Sequence, residues 1–291
     1  MSWFSFARGL ILLEPDKTMK YMTFRERPSG GWLKWAAAAL IIAFVGAVLF
    51  YFLYMSPRRV TPILMYHSIK DKEGDSLSVA PSNFSRQMEY LYRQGYSVIT
   101  LDELLGEVAK GRRYLPKTVV ITFDDGYEDN YIHAFPVLSK YGMSATIFLV
   151  TDYIGKKDGY LEWDQVVLME KNGVEPGGHT RSNVYLPSIK DSQVLFDEVS
   201  GCREDIEKYA GIEAGFFCYP TGGFNEKVKK AVKLAGYKGA CTTNRGYDRL
   251  NEDVYELNRI KVTDSDMNEP FHFRAKLSGF YNVFRSAKSG D

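Results

Sequence analysis

Thr118-Val-Val-Ile-Thr-Phe-Asp-Asp-Gly126 is a continuous apolar run that ends in two adjacent carboxylates and a glycine. A short run of β-branched residues and phenylalanine without polar alternation reads as a strand covered on both faces, as in a parallel sheet packed between helices. Asp124 and Asp125 fall at its C-terminal end, the edge at which α/β folds gather their reactive groups. Asp-Gly is also turn chemistry, and one Asp can cap a following helix. A cap uses one carboxylate and leaves the other unexplained.

Working outward, β-rich runs at 62–66, 97–100, 118–123, 144–149, 174–178, 215–219, 239–243 and 257–262 alternate with helical patterns. The helical stretches are 83–94, 102–109, 131–140, 163–171, 191–209 and 226–235. This is the form of repeated βα units around a largely parallel sheet, which closes into a barrel or stays open and doubly wound; periodicity does not choose. There is no internal repeat, so residues 57–291 read as one catalytic domain.

Residues 35–55 (WAAAALIIAFVGAVLFYFLYM) carry no charge and are long enough to cross a bilayer core of about 30 Å. Trp32, Trp35, Tyr51 and Tyr54 stand near the ends, where amphipathic rings favour the interface. The run exceeds a usual signal-peptide core and no small-x-small cleavage site follows, so it reads as an anchor over 32–56. Arg8, Lys17, Lys20, Arg25, Arg27 and Lys34 precede it, against Arg58 and Arg59 after it. That bias predicts a cytoplasmic tail over 1–31 and an extracytoplasmic domain. In the whole chain 37 Lys and Arg balance 36 Asp and Glu, which argues against a nucleic-acid partner. Cys202, Cys218 and Cys241 have neither CxxC nor ladder spacing and read as small buried residues.

Three further strand ends carry chemistry. Glu175-Pro-Gly-Gly-His-Thr-Arg-Ser-Asn183 presents His179 behind two glycines that permit close approach of backbone or ligand. Pro62-Ile-Leu-Met-Tyr-His67 ends in a histidine at the same predicted rim. Phe216-Phe-Cys-Tyr-Pro-Thr-Gly-Gly-Phe-Asn225 is a strand followed by a turn, by itself an ordinary one. His133 and His272 read as structural or solvent-facing.

Taken in order, the LMYH strand, TFDDG, Tyr160-Leu-Glu-Trp163, HTxxN and the YPTG turn resemble the polysaccharide deacetylase family with the NodB homology domain, carbohydrate esterase family 4. The order is most similar to the branch that deacetylates poly-N-acetylglucosamine. The resemblance implies an irregular (β/α) barrel and metal-dependent hydrolysis of N-acetyl groups on an amino-sugar polysaccharide at the cell envelope. It implies Asp124 as general base and His67 as general acid, with Asp125, His179 and Asn183 around a divalent metal, by family habit Zn2+. Trp163, Tyr219, Pro220 and Thr221 then fall to substrate binding, with backbone N–H groups around Thr221 stabilising the oxyanion. The implied partners are an N-acetylated glycan polymer, the membrane through residues 35–55, and polysaccharide synthesis or export machinery.

Two departures matter. Family members carry a second histidine where this chain has Asn183, and an amide oxygen is a weaker, harder ligand than imidazole, which opens the site to other divalent ions. The arginine that braces the catalytic aspartate in many members has no counterpart near the 216–219 strand, and Arg259 is the candidate substitute. The alternative reading is a metal-deficient protein that keeps the fold and binds glycan or assists polysaccharide assembly.

Overall fold

β3 (Thr118–Phe123) is buried at every position and lies between β1 (Ile63–Tyr66) and β4 (Ala145–Leu149), parallel to both. The computed structural model describes residues 31–72, 74–243, 248–267 and 270–281. From β4 the parallel sheet continues through β5 (Val174–Gly178), β6 (Phe216–Cys218), β7 (Gly239–Thr242) and β8 (Leu257–Asn258). On the other side β1 pairs with β9 (Ile260–Lys261), and the short β2 (Ser97–Val98) attaches to β3 off this path. Only Arg259 separates β8 from β9, so one segment of chain touches both ends of the sheet and nearly closes the barrel. The 257–262 run, expected as a single strand, is interrupted at this residue, whose side chain is drawn into the barrel.

Strand residues alternate between the two faces. Ile63, Val120, Phe148, Phe216, Cys218, Cys241 and Leu257 form one apolar cluster inside the barrel, together with Leu101 and Leu104 of α3 (Leu101–Ala109). Leu64, Ile121, Phe123, Ile147 and Phe217 face outward into the larger cluster beneath the helices. The sequence Val120, Thr122, Asp124 therefore climbs the inner wall, as does Ile63, Met65, His67 on the neighbouring strand. Alternation alone points Asp124 inward.

The outer layer consists of α2 (Pro81–Arg93), α3, α4 (Phe135–Tyr141), α5 (Trp163–Glu170), α6 (Ser192–Ala210) and α7 (Glu226–Leu234). Their ends follow local chemistry: Thr100 and Glu103 make a capping box on α3, and α4 stops at Gly142 in the left-handed region. The helix expected over 131–140 begins instead as a π-helical turn, Asn130–Ala134, before α4. A further short helix, α8 (Pro270–Lys276), was not expected from the pattern.

The chain divides into two units, Met1–Phe50 and Tyr51–Asp291. In the first, α1 (Gly31–Phe50) is apolar and exposed; it belongs to the helical stretch Trp32–Arg58, which runs past the division and is long and apolar enough to cross a membrane. Within the second unit, Arg59 lies over the Tyr114 ring at 3.6 Å and donates to the Ser278 carbonyl at 2.9 and 3.2 Å. Its charge on the far side of the apolar run thus has a packing role.

Candidate active site

Asp124, one residue beyond β3, is 3% exposed inside the barrel mouth. Arg259 grips it in a fork, Nη1 donating to Oδ1 at 2.6 Å and Nη2 to Oδ2 at 2.7 Å. The same guanidinium donates to Thr122 Oγ1 and the Thr242 carbonyl, both at 3.1 Å, and to Cys218 Sγ at 3.0 Å. Burial alone would raise the Asp124 carboxyl, but Arg259, aided by His67 and His179, holds it well below the usual carboxylate range.

Asp125 is turned the other way. Its backbone is left-handed, φ 73°, so the next carboxylate leaves the strand pattern and meets His179 and Asn183 at the rim. His179 Nδ1 donates to the Cys218 carbonyl at 2.7 Å, which fixes the ring and leaves Nε2 facing Asp125 Oδ1 at 3.5 Å. The Asn183 amide stands 3.4 Å from that same oxygen. Burial would lower the His179 pKa, but Cys218 and Asp125 raise it well above its ordinary value. Burial would raise the Asp125 carboxyl, and His179 more than offsets this, leaving it lowered.

His67 lies with Nε2 3.7 Å from Asp124 Oδ2. Burial lowers its pKa, and the attraction of Asp124 and Asp125 offsets only part of that. Among the described residues neither Asp124 nor Asp125 accepts a backbone N–H of a following helix, so the capping role is not what these carboxylates do.

These groups line one cavity of about 520 Å³, whose remaining wall includes Tyr127, Leu77, Tyr219, Thr221 and Lys261. Asp124, Asp125, His67, His179, Asn183 and Arg259 all line this one cavity. Trp163 does not: its ring stacks on Tyr209 at 5.2 Å, because α5 turns that face toward α6. Pro220 is buried in the turn behind Thr221 and is not among the residues lining the cavity. The Gly222 and Gly223 N–H groups are bonded to the Tyr219 and Pro220 carbonyls at 2.8 and 3.1 Å, so neither is an oxyanion donor.

The aromatic wall expected from Trp163 comes instead from Tyr127, directly after Asp-Asp-Gly, whose ring packs 5.0 Å from that of Tyr160. Burial first, then the Asp125 charge, keep its phenol well above the ordinary value and therefore a donor. Its place beside the acidic pair in sequence was the available signal. Gly177 and Gly178 serve packing rather than ligand approach: a Cβ on Gly178 would lie 2.2 Å from the Tyr237 hydroxyl.

Two sets of donors compete for a cation. Asp124, His179 and Cys218 offer ligand atoms within 4.8 Å of one another. Arg259 already sits 3.0 Å from the Cys218 sulfur and binds both Asp124 oxygens, and a second cation there would meet that charge. Asp125, His179 Nε2 and the Asn183 amide have no such guanidinium on them, and their carboxylate, imidazole and amide donors suit a divalent ion.

Residues 111–240 match the family model of the polysaccharide deacetylases. The Bacillus subtilis (strain 168) protein YxkH, whose name assigns it to the same family, is 35% identical over 202 residues, covering 69% of this chain and 71% of YxkH. The chain belongs to the polysaccharide deacetylase family. It is a hydrolase of amide carbon–nitrogen bonds on an NodB-type barrel. The poly-β-1,6-N-acetyl-D-glucosamine N-deacetylase of Staphylococcus aureus (strain MRSA252) is 26% identical over 229 residues, 75% of this chain and 78% of that protein. Among solved structures, the Streptococcus pyogenes deacetylase PplD in complex with acetate superposes with a TM-score of 0.69 at 25% identity, covering 76% of this chain and 98% of PplD.

Proposed function

We propose that this deacetylase removes acetyl groups from an N-acetylglucosamine-type polymer outside the cytoplasmic membrane, anchored through residues 35–55 and using a divalent cation held by Asp125, His179 and Asn183. The observation that carries the reading is the divided acidic pair: Asp124 is locked on Arg259 inside the barrel, while Asp125 is turned to the rim beside His179 and Asn183. When bound, such a cation supplies Lewis acidity that activates water and polarises a carbonyl. Zn2+ is the family habit, and the amide of Asn183 leaves room for harder ions.

The chain's own residues handle the protons. Asp124 accepts the proton of the attacking water as the new carbon–oxygen bond forms. Held low by Arg259, it is a reluctant resting place for that proton, and His67 Nε2 is the neighbouring acceptor at 3.7 Å. His67 then protonates the departing nitrogen as the carbon–nitrogen bond breaks, releasing acetate and a free amine. Tyr127 presents a ring and a hydroxyl to the sugar at the cavity edge.

Support for the location comes from the positive residues before the apolar run and from the packing role of Arg59 on its far side. The S. aureus relative supports the polymer class. The full-length protein in detergent, with Zn2+, Co2+ or Mn2+, should release acetate from N-acetylglucosamine oligomers and lose that release in Asp125→Ala. Asn183 favours a second reading, a glycan-binding protein without stoichiometric metal. No bound cation and no acetate with any of the three ions would select it.

A further inference from the structure

Helix α6 carries Glu198, Gly201 and Asp205 at spacings of three and four residues, on one face. That face receives the turn between His179 and Asn183. Glu198 Oε2 accepts from the backbone N–H groups of Arg181 and Ser182, both at 3.1 Å, and Oε1 accepts from Ser182 Oγ at 2.7 Å. Arg181 lies across Gly201 so closely that a Cβ there would be 2.4 Å from its Cζ, and it forks onto Asp205 at 2.9 and 3.1 Å. An interior helix glycine costs about 1 kcal/mol relative to alanine, so the gap beneath Arg181 is a concession of the helix to the turn.

The turn needs holding. Thr180 and Asn183 both sit in the left-handed region, at φ 64° and 62°, with the Asn183 N–H donating to Thr180 Oγ1 at 2.9 Å. Such conformations persist where their surroundings over-determine them. The Arg181–Asp205 pair acts on a side chain at the surface, where ion pairs contribute little. Glu198 acts on the backbone N–H groups of the two residues before Asn183, and so on the direction in which that side chain leaves the backbone.

We infer that Glu198 is a positioning residue of the cation site: its carboxylate fixes the 180–183 turn so that the Asn183 amide meets Asp125. This rests on the proposed cation-holding role of Asp125, His179 and Asn183. A neutral amide is a weak ligand and depends on being held in place more than an imidazole does. Glu198 is therefore expected to matter as partners behind metal ligands do, by about ten- to a hundredfold in cation affinity.

The test uses the full-length protein in detergent, with Co2+ and Zn2+ affinity by calorimetry and amide exchange of the 180–183 peptide without cation. Glu198→Ala should weaken cation binding at least tenfold and speed exchange at Arg181 and Ser182, while Glu198→Gln, which keeps an acceptor oxygen, recovers most of both. In an Asn183→Ala background, Glu198→Ala should add little, since both act through one ligand. Wild-type affinity in Glu198→Ala, or a loss that adds in full to that of Asn183→Ala, overturns the inference. If the wild type binds no cation, the proposed function falls. Glu198 is then judged on exchange alone, where unchanged rates at Arg181 and Ser182 overturn its hold on the turn and faster rates support it.

Discussion

Arg259→Met removes a guanidinium that makes five bonds inside the barrel, two of them to Asp124. Both partners are nearly inaccessible, 1% and 3% exposed. Leaving one half of a buried ion pair without its counter-charge costs about 3–5 kcal/mol. Divided by 1.36 kcal/mol per unit, that corresponds to an upward movement of the Asp124 pKa by about 2–4 units from its depressed value. The sign of the pH dependence follows. In the wild type the depressed Asp124 contributes stability that is complete above the unfolded pKa and is lost as pH falls through the folded one. In Arg259→Met the folded pKa is raised, so the variant suffers least in acid. The unfolded state is common to both proteins, so the deficit grows as pH rises from the depressed wild-type pKa to the raised one of the variant, by at most about 1.4 kcal/mol per pH unit. Melting of the full-length protein in detergent, with chelator, from pH 2.5 to 8 reads this directly. Adding Asp124→Asn should flatten the dependence and return part of the stability without activity. A deficit of equal size at pH 2.5 and pH 8 would refute the electrostatic account and leave only lost packing.

Four further outcomes are expected. His179 is raised well above its ordinary pKa by Cys218 and Asp125 despite burial, so cation binding at pH 7 should displace a proton; calorimetry in buffers of different ionisation enthalpy should report release of about one, and affinity should strengthen as pH rises. Asn183→His places an imidazole at a left-handed position that histidine tolerates, and Zn2+ affinity should rise at least tenfold, measured by competition with a chelator. All three cysteines are buried and unbridged, and burial pushes the Cys202 thiol up to about 12, so a thiol reagent should label the native protein negligibly and the denatured protein fully. Gly178→Ala forces a methyl against the Tyr237 hydroxyl and should destabilise the barrel by about 1–3 kcal/mol, seen as a lower melting temperature.

The strands were legible because this sheet is covered on both sides: unbroken apolar runs such as 118–123 have few other uses in a chain of this composition. The reactive edge was legible for the same reason, since charged groups directly after such runs all reach one rim. The barrel itself was legible only through the family resemblance, because closure depends on two short pairings on either side of Arg259, and periodicity carries no trace of which strands become neighbours. Trp163 shows the limit of assigning a wall from a motif: it begins a helix, and the rotation of that helix toward Tyr209 is decided by packing that only the folded chain contains. Glu198 was invisible because its partners are backbone N–H groups sixteen and seventeen residues away. The π-helical turn at Asn130–Ala134 likewise leaves no distinct periodic mark over five residues.

The residue that braces Asp124 lies on the seam between β8 and β9, far along the chain from the strand that delivers the aspartate. A polypeptide synthesised only as far as β7 already contains both carboxylates and both histidines of the cavity, yet its Asp124 has no guanidinium against it. In that partial chain the sheet also lacks the two strands that close it over this carboxylate. The brace on Asp124 thus arrives with the last rung of the barrel, so that a C-terminally clipped molecule retains Asp125, His179 and Asn183 and lacks the guanidinium that grips Asp124.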